Sequence, residues 1–423
     1  MNFRHESQAY VDEEGRLIIP REELSLYGLK PGSQIRVERK ADSLLLRCPV
    51  THLRKVYIEP TNRCNLDCRT CIRNVWDEPL GQMSSAVFDR IMEGLRDVSP
   101  TPTVFFGGFG EPLAHPDIVE MVTMAKSLGA NVELITNGML LTPDISRKLI
   151  EVGLDTLWVS IDGSTPESYA DVRLGAALPQ VLANLADFRK IRWASCSREW
   201  LGDYNAKPAI GVVFVAMRSN IADFPAVVRL SSQFGAKRFL LTNLLPYTPA
   251  MCKEILYNLA LTDTTYASSL SNLDLPKINV DEITRDSLYA AMRSGHGVTF
   301  AGRSLGDTND LCPFVETGAT AISWDGNLSP CLPLLHNHVS YVDDRERFSR
   351  RYVVGNLDIS NFSSLWNDHV HLAFRDRVQR FDFSPCTWCG GCDMAEKNEE
   401  DCFGSPFPTC GGCLWAQGVI RCP

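Results

Sequence analysis

At 423 residues with a net charge of −9, the chain has room for two or three domains and lacks the basic excess of a general nucleic-acid binder. Hydrophobic residues at 44% and charged residues at 22% suit a globular protein in water; no apolar run reaches a membrane span, and Met-Asn-Phe-Arg-His-Glu has no signal-peptide core, so the cytoplasm is expected. Fifteen cysteines without an export signal point to metal binding rather than disulfides.

Residues 8–47 break into short strand-like runs at the turn signals Glu14-Gly15, Pro31-Gly32 and Ala41-Asp42, with one helical turn after Pro20. The run Gly15-Arg16-Leu17-Ile18-Ile19-Pro20 resembles the Gly-Arg-x-x-Ile-Pro pattern of AbrB-type swapped-hairpin modules. That resemblance implies a homodimer of interlocked copies and, often, DNA binding. Residues 1–50 carry eight Lys plus Arg against eight Asp plus Glu, so charge favours a structural or docking use over DNA. A strand-rich module this small needs a second copy or the main domain against it.

From Lys55 the pattern is strand, loop, helix, repeated. The first strand, 56–58, enters a loop holding Cys64, Cys68 and Cys71 in C-x3-C-x2-C spacing. Three thiolates on one loop can hold three irons of a four-iron cluster and leave the fourth open; a zinc half-site or three unrelated thiols are the plainer readings. A helix over 84–98 places Val87, Phe88, Ile91, Met92 and Leu95 on one face. The second strand, 103–106, runs into Gly107-Gly108-Phe109-Gly110-Glu111-Pro112, whose glycines let backbone approach a ligand closely.

A helix from about Asp117 stops at Gly129, and the third strand is 131–135. Thr136-Asn137-Gly138 reads as a turn or as pocket floor. The next helix starts with Thr142 as cap and Pro143 in its first turn. The fourth strand, 156–161, carries Ser160 and, two residues on, Asp162 pointing the same way, or else an Asx turn with Gly163. A helix follows Pro179; strands 209–216 and 238–241 flank a helix over 222–234. Six alternating units predict an α/β fold, a parallel sheet with right-handed crossovers closed into a partial (β/α)6 barrel.

The cysteine loop with its Cys-Asn-Leu-x-Cys core, followed by Gly-Gly-x-Gly-Glu-Pro after the second strand, resembles radical S-adenosylmethionine (radical SAM) enzymes over residues 55–245. The resemblance implies a [4Fe-4S] cluster on Cys64, Cys68 and Cys71, with SAM chelated on its open iron and split to a 5'-deoxyadenosyl radical. It also implies that Gly107, Gly108, Gly110, Glu111 and Pro112 hold the amino group of SAM. Ser160 and Asp162 suit its ribose and carboxylate ends, Arg173 pairs with that carboxylate, and Asn137 belongs to the pocket floor. Arg218 and Asn220 are weaker candidates for the rim. Family loops often carry an aromatic residue before the third cysteine, where this chain has Thr70. A low-potential donor of ferredoxin or flavodoxin type is implied as partner.

Residues 250–305 read as a helical connector, with helices at 251–261 and 283–292, over the open side of the barrel. Cys312-Pro313, then Trp324-Asp325-Gly326 and Cys331, resemble the SPASM extension. One or two auxiliary clusters are implied among Cys312, Cys331, Cys386, Cys389, Cys392, Cys402, Cys410, Cys413 and Cys422. Cys386, Cys389, Cys410 and Cys413 also satisfy a zinc-ribbon spacing. His336 and His338 read as ligands or pocket residues or, the favoured reading, as solvated loop histidines, and Glu396, Glu399, Glu400 and Asp401 as a solvated face whose place between cluster cysteines could set docking of a reductant. Cys48, Cys196 and Cys252 read as small buried or semi-buried hydrophobes.

The two Cys-Gly-Gly-Cys runs, 389–392 and 410–413, with the AbrB-like start, look like the radical SAM maturases that accompany tungsten-cofactor oxidoreductases. That implies a tungsten oxidoreductase or its cofactor as substrate. Peptide modification and an iron-sulfur redox-sensing transcription regulator are the rival expectations. The expected domains are a swapped-hairpin module at 1–50, the barrel at 51–249, the connector at 250–305 and the SPASM-like domain at 306–423.

Overall fold

The computed structural model describes residues 8–27, 29–39, 44–195, 207–257, 277–279, 281–292, 310–342, 345–384, 386–387 and 392–423. The first region is two antiparallel ribbons, β1 (Tyr10–Val11) with β2 (Leu17–Ile18) and β3 (Arg36–Arg39) with β4 (Leu44–Arg47), and one short helix, α1 (Arg21–Leu26). It is tied down at one end: Arg47 bonds Glu38 at 2.9 Å and Glu316 at 2.6 Å, Arg36 pairs with Asp376, and Gln379 donates to the Cys48 carbonyl. Tyr10, Val11, Leu17 and Leu26 remain half or more exposed.

Six strands then form the parallel core: β5 (Lys55–Ile58), β6 (Thr103–Phe106), β7 (Val132–Thr136), β8 (Thr156–Ser160), β9 (Ala209–Ala216) and β10 (Ala236–Asn243). Between them lie α2 (Ser85–Arg96), α3 (Ile118–Ser127), α4 (Pro143–Glu151), α5 (Pro166–Val172), α6 (Leu178–Ser195) and α7 (Phe224–Ser232). The period-2 alternation sorts each strand between two cores. Val56, Ile58, Val104, Phe106, Leu134 and Val159 face the helices, and Tyr57, Phe105, Trp158, Val213 and Leu240 face inward. The predicted face of α2 is buried in full, each side chain contributing about 1.5–3 kcal/mol. Ser84 and Thr142 cap α2 and α4 as side-chain acceptors for Val87 and Ile145 N–H. The short helix α5 was not expected; Thr165 and Ser168 form a capping box at its start.

The sheet does not stop at the sixth strand. Beyond α8 (Arg285–Met292) and α9 (Pro313–Thr317), β11 (Ala319–Ile322) pairs parallel with β5, then β12 (Asn327–Ser329) and β15 (Gly355–Asn356) add antiparallel, giving nine strands. The hairpin β13 (His338–Val342) and β14 (Arg345–Ser349) stands apart, and α10 (Phe362–Trp366) and α11 (His369–Arg380) complete the region.

The connector differs from expectation. Residues 249–254 form a 3-10 helix, and the remainder of the expected 251–261 helix after Tyr257 lies outside the described residues. The second helix, α8, packs on α7 with Leu288 in the main core rather than across the open side, because its apolar side chain finds cover there. The inside of the barrel is occupied instead by the tail. Asn243 donates to the Val419 carbonyl, Arg421 N–H to Thr242, and Tyr57 and Lys55 to the Pro423 carbonyl at 2.9 and 2.7 Å.

Candidate iron-sulfur and SAM site

The site lies where β5 to β8 end. The cysteine loop leaves β5 through Glu59-Pro60-Thr61, and Thr61 and Asn62 pin it to the Pro79 and Gly81 backbone. The glycine loop after β6 is stitched to it directly. Glu111 N–H donates to the Arg63 carbonyl at 2.8 Å, and a Cβ on Gly110 would meet the Thr61 carbonyl oxygen at 2.0 Å. Only glycine allows two backbones so close.

A polar group stands behind each thiol. Asn137 Nδ2 is 3.7 Å from Cys64 Sγ, Arg173 Nη1 is 4.0 Å from Cys68 Sγ, and the Arg73 guanidinium, bonded to the Leu66 carbonyl, lies near enough to Cys71 for the thiol to raise its pKa against burial. Burial pushes the Cys64 and Cys68 thiols up, and Cys71 adds to both. Thiols with donors aimed at them in a desolvated loop suit thiolates whose charge is shared with iron.

Glu111 is buried, and its carboxylate accepts from Leu113 N–H, Thr136 Oγ1 and Asn137 N–H. Its oxygens thus tie the glycine loop to β7. Burial raises its pKa against those three donors. Asp162 takes Arg173 Nε and Nη2, both at 2.7 Å, through one oxygen and Val215 N–H through the other. Arg173 is therefore already paired within the chain, beside Cys68. Asn220 spends its amide on the Asp162 and Val215 carbonyls, whereas Arg218 is exposed and, among the described residues, uses only its Nε, on the Lys253 carbonyl. Ser160 is buried at the end of β8.

Asp162→Asn keeps the shape but removes the charge from beneath Arg173. The expected loss is about 3–5 kcal/mol, because a nearly buried guanidinium is left without its carboxylate. A melting temperature within 2 °C of the parent, measured on the cluster-free protein, contradicts this.

Four of the C-terminal cysteines come together: Cys312, Cys331, Cys410 and Cys413 line one cavity of about 60 Å³, walled by Phe314, Leu334, Phe374 and Trp415. Burial raises the Cys312 thiol to about 12, and Cys331 and Cys410 also rise, each of the three feeling Cys413. Four thiols in an apolar wall make a costly void and a suitable cage for a cluster. Of the zinc-ribbon set, Cys386 is absent from that lining, but Arg347 lies near it and near Cys410 and Cys413 as well. The remaining member of the set, Cys389, is outside the described residues, as is Cys196. Among the described residues, no three His, Cys, Asp or Glu side chains converge on a single-ion site. Cys422 takes Trp415 Nε1 at 3.4 Å inside the barrel.

Two expectations are corrected. His336 and His338 are 2% and 6% exposed, not solvated: His336 is held by Glu59 and Glu78, and His338 by the His336 carbonyl. Asp401 is likewise buried, accepting from Ser384, Phe403 and Ser405 N–H, whereas Glu396 and Glu400 are exposed. The carboxylates that hold His336 are more than 250 residues earlier and leave no local signal, whereas Asp401 closes a local turn through Phe403 and Ser405 as well as reaching Ser384. Cys48 and Cys252 are half-buried, as expected.

Residues 58–204 match the Radical SAM superfamily, and residues 312–393 match an iron-sulfur cluster-binding domain, SPASM. The tungsten-containing aldehyde ferredoxin oxidoreductase cofactor-modifying protein of Pyrococcus furiosus is 30% identical over 374 residues, 88% of this chain and 97% of that protein. This chain belongs to the radical SAM superfamily. Fe-coproporphyrin III synthase of Methanosarcina barkeri is 23% identical over 79% of this chain and 78% of its own. Solved radical SAM folds align as well. Streptococcus suis SuiB bound to S-adenosylmethionine aligns with TM-score 0.52 at 14% identity, over 82% of this chain and 72% of that one. A structure titled native anSMEcpe with bound AdoMet and Kp18Cys peptide gives 0.51 at 17%, over 81% and 87%.

As a radical SAM enzyme the protein uses a [4Fe-4S] cluster and SAM, and its SPASM domain binds auxiliary iron-sulfur clusters. Among the described residues, no helix is long and apolar enough to cross a membrane.

Proposed function

We propose that this enzyme matures the tungstopterin site of a partner oxidoreductase, with Cys64, Cys68 and Cys71 as ligands of the catalytic cluster. The observation that carries the reading is the similarity to the cofactor-modifying protein of Pyrococcus furiosus, which spans nearly all of both chains, rather than the barrel alone. When bound, the cluster and SAM supply a 5'-deoxyadenosyl radical that takes a hydrogen atom from the substrate.

The chain's own residues bind, orient and exclude water. The backbone of Gly107 to Pro112 offers its polar groups to the SAM amino end, with Glu111 holding that loop on β7. Ser160 stands at the ribose end, and Asn137 and Arg173 steady the thiolates of Cys64 and Cys68. The apolar lid of Ile72, Leu245, Tyr247, Leu414 and Ile420 keeps bulk water from the top of the barrel. Cys312, Cys331, Cys410 and Cys413 hold one auxiliary cluster, and Cys386, Cys389, Cys392 and Cys402 are assigned to a second. A low-potential donor of ferredoxin or flavodoxin type supplies electrons in the cytoplasm. The exposed apolar residues of the first ribbon suit a homodimer through the AbrB-like module.

The test is 5'-deoxyadenosine formation by the anaerobically reconstituted, reduced protein with SAM. Stimulation by immature tungsten oxidoreductase is expected. Stimulation by candidate ribosomal peptides alone, with none by the oxidoreductase, sinks the maturase reading.

A further inference from the structure

His336 belongs to the C-terminal domain, 277 residues beyond Glu59, yet its Nε2 lies 2.9 Å from Glu59 Oε2. Its Nδ1 is bonded to Glu78. Glu59, 1% exposed at the end of β5, uses its other oxygen to accept Phe109 N–H at 3.0 Å. The Trp76 and Phe109 rings close over the imidazole at 4.5 and 5.7 Å. Gly108, at φ 121°, rests on Glu59 so tightly that a Cβ there would meet the carboxylate side chain at 2.7 Å. One imidazole, one strand-end carboxylate and the backbone of the glycine loop thus form a continuous chain of contacts across two domains.

We propose that His336 is a positioning residue for SAM: by holding Glu59 under Gly108 and Phe109, it sets the glycine loop only when the C-terminal domain is docked. This rests on the reading that Gly107 to Pro112 takes the amino end of SAM. Both ring nitrogens face carboxylates, so both must donate, which requires the imidazolium. Burial works to lower the His336 pKa, but the bonds to Glu59 and Glu78 outweigh it and raise it to about 9. The charged groups around it are Glu59 just after β5, Glu78 from the loop after the cysteines, and Arg351, 4.0 Å beyond Glu78. His338, lowered to about 4 chiefly by burial, stays neutral. The imidazolium is complete below its folded pKa and is lost as pH rises through about 9.

The experiment is equilibrium dialysis of SAM with the reconstituted full chain. His336→Gln should weaken SAM binding about 10–100-fold at unchanged iron content, as loss of a supporting partner does at other sites. Glu59→Gln should do the same, and the double variant should be no worse than either single one. Wild-type affinity should be level from pH 7 to 8 and decline above, while His336→Gln shows no such decline. Glu78→Gln keeps the Glu59 bond but withdraws one stabilising carboxylate, so its decline should begin at lower pH; if His336→Gln does not fold, this shift is the deciding result. Gly108→Ala, which must displace Glu59, separates the two readings. If it weakens SAM and His336→Gln at full iron content does not, the positioning role fails alone; if neither weakens SAM, the glycine-loop reading fails with it.

Discussion

Cys68→Ala should cost the protein about four irons per chain and at least about a thousandfold in 5'-deoxyadenosine formation, while the auxiliary iron stays. Cys64 and Cys71 alone offer two thiolates to a cube that needs three protein ligands to leave one iron open. No neighbour can stand in. Arg173 Nη1, 4.0 Å from the lost sulfur, is a donor, and the Asp162 carboxylate is already taken by Arg173 and Val215 N–H. Arg173 keeps its bidentate hold on Asp162, so the fold should survive and the loss should read as cluster loss rather than unfolding. Iron analysis and the spectrum of the reduced protein decide it. Full iron content with a normal SAM-responsive signal would remove Cys68 from the ligand set.

The two loops were legible because each is local: Cys64, Cys68 and Cys71 lie on one loop and Gly107 to Pro112 follow one strand, and the structure brings the loops together, while their part in holding a cluster and SAM comes from the resemblance. The strands 103–106 and 209–216 appear at their expected bounds, and the buried face of α2 is the one its 3.6-residue period marks. What sequence could not report is pairing over distance. Nothing near His336 says that Glu59 will accept its proton-bearing nitrogen, so an exposed loop was the reasonable expectation. Nor does the sequence report that Arg173 bonds Asp162, eleven residues earlier, since the pairing follows from where the chain turns after β8. The same holds for β11, whose four residues look like any short apolar run until they are found on the edge of β5. The tail is the largest such case: the residues after Cys413 carry no barrel signal, yet Val419 to Pro423 run along its interior.

The ligand partition in the C-terminal domain can be read by additivity. Cys331→Ser should lose about four irons, and so should Cys392→Ser, since each opens one cube. The doubles then differ. Cys331→Ser with Cys413→Ser should lose no more than the single variant, because both thiols line the same cavity; Cys331→Ser with Cys392→Ser should lose about eight. The physical basis is the shared lining: Cys331 stands with Cys312, Cys410 and Cys413 in one cavity that does not include Cys386 or Cys392. Stability should follow the iron. The first four thiols lie among Phe314, Leu334, Phe374 and Trp415, so losing a cluster there unpacks apolar side chains, and binding energy there is folding energy. Loss at Cys392, an exposed residue, should cost much less in melting temperature. Equal thermal losses from the two single variants, or eight irons lost from the Cys331 and Cys413 double, would assign these four thiols to different clusters. A zinc content of one per chain, abolished by either Cys386→Ser or Cys410→Ser, would instead restore the ribbon and place those two thiols on one ion.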